Sequence, residues 1–159
     1  EGTRFFQQPQ TLRTAGLPLR SFIAEAAAKA KEKPVSRPFT LLVVGGSQGA
    51  RGLNTVVTDA VATLSDEERS QMAVIHITGK RDRSWVAERY TQLALAGEVH
   101  PFYGAMDELF QKADLAITRA GANTLFELAA FGVPALVIPY PHAGAIKNTM
   151  RKASRTKAG

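Results

Sequence analysis

The run Phe39–Gly45 (FTLLVVG) leads straight into the glycine-rich turn Gly45-Gly46-Ser47-Gln48-Gly49-Ala50 and then into Leu53, Val56, Val57, Ala60, Val61 and Leu64. No other part of the sequence constrains the fold as much. An almost continuous apolar run has no polar side to turn to water, so it reads as a strand covered on both faces, the condition of a parallel sheet. The apolar residues after the turn recur at the spacing of one helix face. The same alternation continues downstream. Met72–Thr78 (MAVIHIT) reads as a strand, Ser84–Leu95 as a helix, Glu98–Tyr103 as a short strand and Met106–Lys112 as a short helix. Leu115–Thr118, a helix over Asn123–Phe131 and a strand over Ala135–Pro139 complete the series, with Gly132-Val133-Pro134 stopping the last helix. Strands alternating with helices are stacked βα units, so the expected class is α/β with a parallel sheet.

Upstream, Ser21–Lys33 is alanine-rich and helical in propensity, Lys33–Pro38 reads as a linker, and Gly16 with Pro18 places a turn before them. Residues 1–33 are therefore expected to lead into an α/β domain spanning 34–143, with 144–159 as a basic tail. The regular pattern stops after Pro141, and the sequence reads as a domain cut at both ends.

Composition removes several classes of function. The 159 residues include no cysteine, which excludes disulfides, thiolate metal sites and cysteine nucleophiles. His76, His100 and His142 are widely spaced, so no metal site is expected. No apolar run approaches the roughly 20 residues that span a bilayer. The formal charge of +6 invites a nucleic-acid reading, but Lys147, Arg151, Lys152, Arg155 and Lys157 supply five of those charges with no acid after Ala143. The domain itself is nearly neutral, and no nucleic-acid partner is expected.

Two turns carry the chemistry. In the first, Gly45 to Ala50, small residues expose backbone N–H groups at the positive end of a helix, where a phosphate can approach. A Walker loop would end in Gly-Lys-Ser/Thr and a dinucleotide fingerprint would place an acid at the end of the second strand; neither is present. A phosphate site of another nucleotide-binding fold and a plain tight turn both remain. The second turn, Thr118 to Glu127 (TRAGANTLFE), again lies between a strand and a helix. Thr124 could meet a phosphate and Glu127, three residues on, could accept both hydroxyls of a ribose; the plain alternative is a capping box in which Thr124 caps and Glu127 reaches back. Both turns lie on the carboxyl edge of the sheet, where open α/β folds bind ligands, and together they suit a nucleoside diphosphate.

At this point the residues carry a resemblance. GGSQGA, the stretch from Phe102-Tyr103-Gly104 to Ala113-Asp114, the run RAGANTLFELAAFGVPALVIPYPHA from Arg119 to Ala143, and Gly16-Leu17-Pro18-Leu19-Arg20 resemble the MurG family of GT-B glycosyltransferases in order and spacing. The likeness covers most of Thr11 to Ala143. It implies the Rossmann-like C-terminal domain of a two-domain enzyme, with residues 34–143 binding UDP-N-acetylglucosamine. A missing N-terminal domain would bind the lipid-linked muramyl-pentapeptide acceptor and supply the base for an inverting transfer in peptidoglycan synthesis. The resemblance further implies no cofactor, no metal, and a cytoplasmic location at the inner face of the bacterial membrane. Carried over residue by residue, Glu127 would hold the ribose hydroxyls, Thr124 and Ser47 the diphosphate, Arg20 the donor pocket and the Tyr103 backbone the uracil edge. The backbone of Gly45, Gly46, Gln48, Gly49, Gly121, Ala122 and Asn123 would line the phosphate loops. No residue here is assigned as catalytic; Arg119 is expected to organise its loop, and the chain alone is not expected to turn over.

Asn123 stands where the family often has an apolar residue. After Ala143 the family's sugar-reading Asp-Asp-His-Gln and Asn-Ala are replaced by Gly144-Ala145-Ile146-Lys147-Asn148-Thr149-Met150-Arg151. Codons for Ile-Lys-Asn-Thr-Met-Arg can be chosen that, read from each last base, encode His-Gln-Lys-His-Asn-Ala. The expectation is a frameshift near Gly144, and the nucleotide sequence decides it. Two other readings stand beside the first: a different UDP-sugar-using GT-B enzyme, either a glycosyltransferase or an epimerase, and a non-catalytic UDP-binding module. Among the remaining residues, His76 is expected to be structural, His100 to be on the surface, His142 at the crevice edge, Trp85 packed, and Glu67 with Glu68 a solvated helix end.

Overall fold

A computed structural model describes residues 18–30, 38–45 and 50–139. Along the chain it shows α1 (Ser21–Ala28), β1 (Phe39–Val44), α2 (Arg51–Ala62), α3 (Asp66–Ser70), β2 (Met72–Ile77) and α4 (Arg83–Gln92). β3 (Ala96–His100), α5 (Met106–Lys112), β4 (Leu115–Arg119), α6 (Ala122–Ala130) and β5 (Ala135–Ile138) follow. The five strands form one parallel sheet in the order β3-β2-β1-β4-β5. The expected α/β class is therefore observed.

The central strand explains the layering. Its residues alternate sides, so Leu42 and Val44 enter one core with Ile75, Ile77 and Ala116, while Leu41 and Val43 enter another with Val74. The first core is closed by Ile23 of α1, Leu109 and Phe110 of α5 and Leu128 of α6. The second is closed by Leu53, Val57 and Val61, one stripe along α2, and by Val86 and Tyr90 of α4. Both faces of β1 are thus dry, as its unbroken apolar sequence requires. Each such fully buried aliphatic side chain contributes about 1.5–3 kcal/mol relative to an exposed one.

The structure departs from expectation at four places. α1 ends at Ala28 rather than Lys33: Ile23 is its one buried residue, and the Ala30 N–H already bonds to Ala27 in a tightened last turn. α4 ends at Gln92, where Ala94 takes a positive φ of 50° and turns the chain toward β3. A further helix, α3, is present, closed by a reciprocal cap: Ser65 Oγ accepts from Glu68 N (3.2 Å) and Glu68 accepts from Ser65 N (2.8 Å). Finally, β3 occupies Ala96–His100, not Glu98–Tyr103. Gly97 looks like a breaker in the sequence, but a Cβ there would lie 1.9 Å from the Val74 carbonyl oxygen, so only glycine lets β3 pair with β2 at this register.

One polar cluster interrupts the second core. His76, Asn54 and Thr78 are fully buried, and Asp82 and Tyr90 nearly so. Asn54 Nδ2 donates to the Thr78 carbonyl (3.0 Å) and to Asp82 Oδ2 (2.9 Å), which leaves Asn54 Oδ1 facing His76 Nε2 at 3.0 Å. Asn54 Oδ1 can only accept, so His76 carries its proton on Nε2, and its Nδ1 accepts from the Tyr90 hydroxyl at 2.8 Å. His76 is structural, as expected. Burial pushes its pKa from 6.5 down to about 4, against a smaller upward pull from Asp82. Below pH 6.5 the unfolded chain gains a proton that the folded chain refuses, so this histidine costs nothing above that pH and progressively more as pH falls toward 4. The loss sums to about 3 kcal/mol. Urea titrations at several pH values should therefore show stability falling from pH 7 to 4.5 in the parent and a flatter profile in His76→Gln; identical slopes would contradict the assignment.

Candidate functional site

The order β3-β2-β1-β4-β5 reverses direction at its centre. From β1 the chain moves through α2 to β2 on one side, whereas from β4 it moves through α6 to β5 on the other. The carboxyl ends of β1 and β4 are neighbours, paired through Val44 and Thr118, and the helices that follow them depart on opposite faces. A crevice opens there.

Both helix starts at this crevice lack a side-chain cap. α2 has Ala50 at its N-cap and α6 has Gly121, and neither carries a side-chain acceptor. The contrast with the closed cap of α3 is direct. Thr124 is in the first turn of α6, with its Oγ1 3.9 Å from where a Gly121 Cβ would stand. The capping-box alternative for Thr124 and Glu127 does not occur: the N-cap is Gly121, and Glu127 lies a turn further along.

Glu127 instead points across to the segment before α1. Its Oε1 accepts from Arg20 Nε at 3.0 Å and lies 2.8 Å from the same guanidinium's terminal nitrogen. The Glu127 side chain is 8% exposed and that of Arg20 is 51% exposed, so the pair joins a buried anion to a cation at the mouth. The guanidinium also sits 4.7 Å from the Phe22 ring centroid. Pro18, Leu19, Arg20, Asn123 and Glu127 line a small open recess around this contact. A carboxylate with one oxygen occupied by Arg20 still has acceptor capacity on the other, which suits a pair of vicinal hydroxyls.

The other expected residues are placed as follows. Gly45 directly follows β1, and a Cβ there would press against the Ala50 nitrogen at 3.1 Å, so this position requires a small residue. Its N–H is bonded to the Ile77 carbonyl at 3.2 Å and that of Gly121 to the Arg119 carbonyl at 2.7 Å, so neither of these two expected phosphate-loop amides is available to a phosphate. Gly121, Ala122 and Asn123 are exposed at the start of α6. Tyr103 lies in the loop after β3, packs against the first core and donates to Glu108 (3.1 Å), which raises its pKa; its side chain does not line the recess. Gly46, Ser47, Gln48, Gly49 and His142 lie outside the described residues, as do residues 144–159. Arg119, expected to organise its loop, donates to the Pro139 carbonyl at 2.8 Å and so ties the end of β4 to the end of β5. Pro18 and Leu19, which belong to the stretch Gly16–Arg20 that carried the family resemblance but were assigned no role in the site, form part of the recess.

Residues 40–154 match the family described as glycosyltransferase family 28 C-terminal domain. A protein of Desulfotalea psychrophila is 42% identical over 128 residues, 80% of this chain and 34% of that protein. Its name is UDP-N-acetylglucosamine--N-acetylmuramyl-(pentapeptide) pyrophosphoryl-undecaprenol N-acetylglucosamine transferase. A Sorangium cellulosum protein of the same name is 44% identical over 138 residues, 86% of this chain and 33% of its own length. The chain therefore spans about a third of the length of these curated relatives. The crystal structure of Acinetobacter baumannii MurG superposes with a TM-score of 0.63 at 27% identity, covering 85% of this chain and 38% of that one.

The Arg20–Glu127 contact should be measurable by itself. A double-mutant cycle with Arg20→Ala and Glu127→Gln is expected to give a coupling of about 1 kcal/mol in urea unfolding, between the exposed and buried limits for ion pairs. It should shrink at about 1 M salt. Zero coupling at low salt would mean that the contact is not held in solution.

Proposed function

The chain belongs to the glycosyltransferase family 28 C-terminal domain family, and from that premise we propose that it is the donor-binding half of an inverting N-acetylglucosaminyltransferase. Residues 34–143 bind UDP-N-acetylglucosamine in the crevice between β1 and β4. The acceptor, a lipid-linked muramyl-pentapeptide, is taken by the part of the enzyme that these residues do not include, at the inner face of the bacterial membrane. No helix among the described residues is long and apolar enough to cross that membrane.

The observation that carries this reading is Glu127: a nearly buried carboxylate lining a recess beside an uncapped helix start. The two hydroxyls of a ribose donate to it. The diphosphate lies between the starts of α2 and α6, with backbone N–H groups of Gly46–Gly49, Ala122 and Asn123 and the hydroxyls of Ser47 and Thr124 toward its oxygens; the N–H groups of Gly45 and Gly121 are already given to the Ile77 and Arg119 carbonyls. Arg20 adds positive charge at the mouth, and the backbone of Tyr103 meets the uracil edge.

This arrangement does its chemical work on the leaving group. When the bond from the sugar's anomeric carbon to the diphosphate breaks, negative charge gathers on the departing oxygen. N–H dipoles already aimed at that oxygen stabilise the charge without having to reorganise. The base that removes the acceptor's proton is not among these residues.

Calorimetric titration of the purified chain tests the reading. UDP and UDP-N-acetylglucosamine should both bind, and Glu127→Ala should weaken both by at least about tenfold, as loss of a charge-assisted pair of hydrogen bonds requires. A folded chain that binds neither, or a Glu127→Ala variant that binds as tightly as the parent, would reject it.

A further inference from the structure

The buried cluster around Asn54 has no part in the binding described above, yet it ties together three elements near the crevice. Asn54 is in the first turn of α2, and its N–H bonds to the Ala50 carbonyl at 2.9 Å. Its side chain reaches His76 on β2, the carbonyl of Thr78 just after β2, and Asp82 at the start of α4. All three anchors lie on or beyond the carboxyl half of β2, on the side of the sheet where α2 begins.

We infer that Asn54 is a positioning residue for diphosphate recognition, fixing the roll and height of the first turn of α2 so that its N–H groups face the phosphates. The inference rests on the proposed function. The argument turns on what apolar packing cannot do. Leu53, Val57 and Val61 hold α2 against the sheet, but such contacts are non-directional and tolerate rotation of the helix about its axis. Three directional bonds to one amide do not, because each of its hydrogens and its oxygen has a separate target. The cluster is also an expensive way to fill a core position: well-packed apolar residues of similar volume often serve stability as well or better. Its closure is complete for the amide, and the donor order runs in one direction, from Tyr90 to His76 to Asn54 to Asp82. That chain of donors leaves Asn54 one orientation.

The readout that separates positioning from mere stability is the diphosphate increment, the ratio of the uridine to the UDP dissociation constant. Uridine reports the ribose and base contacts, and UDP adds the phosphates. In the parent chain UDP should bind more tightly than uridine. Asn54→Ala and His76→Leu should each reduce the increment by at least about fivefold, the scale of a helix-terminus interaction with an anion, while leaving uridine affinity unchanged within about twofold. His76→Gln, which keeps an amide N–H toward Asn54, should retain most of the increment. Val57→Ala, a core deletion one turn along α2, should lower the urea midpoint without changing the increment. If Asn54→Ala does not fold, Asp82→Asn keeps the test open, since weakening a charge-assisted bond should still reduce the increment by about twofold. Variants that are destabilised yet keep the parent increment, or that lose uridine and UDP in parallel, overturn the inference alone. A parent chain with no preference for UDP over uridine overturns the proposed function, and the inference falls with it.

Discussion

The site depends on the reversal of direction between β1 and β4. Strand crossovers in a parallel sheet are right-handed, so a chain that builds outward from β1 on one side and then from β4 on the other must place the two sets of helices on opposite faces. The carboxyl ends of the two central strands are then left uncovered, and each is followed by a helix start. Dry packing on both faces of β1 fixes the distance between those starts. The two cores are thus the reason that two helix starts face one crevice.

The polar groups near the crevice divide between the two faces. On the face of α1, α5 and α6, Arg20 and Glu127 couple residues 107 apart in sequence, and through them the segment before α1 becomes a wall of the recess. On the face of α2 and α4, the amide of Asn54 locks a helix start to the end of β2. Neither device is made of core-forming residues, and neither would be chosen by packing alone.

Much of this was legible beforehand. Apolar runs and glycine turns located β1, β2, β4 and β5 and the helices α2, α4 and α6, because a buried strand and an amphipathic helix write different periods into the sequence. β3 was placed too late: Gly97 reads locally as a breaker, and its reason for being there is the Val74 carbonyl on the neighbouring strand, which no local pattern reports. α3 is short and exposed, so it has no apolar period, although Ser65 and Glu68 spell its cap. Of the candidate site, Thr124 and Glu127 were singled out by position and spacing, but the same spacing also fits a capping box. The helix start at Gly121 and the ion pair to Arg20 remove the capping box. Asn54, Asp82 and Tyr90 were not singled out, and a polar residue at a core position of α2 was the available signal.

Family membership supports a nucleotide-sugar donor, and the proposed site puts its diphosphate between the starts of α2 and α6. Mapping amide chemical shifts by NMR as UDP is added to the folded chain addresses that placement directly. The account predicts the largest changes at Gly45, at Ala50 to Leu53 and at Gly121 to Thr124, with little at α3 or along β3. Changes concentrated away from the ends of β1 and β4, or none at saturating UDP, would contradict the claim that the diphosphate sits between the two helix starts.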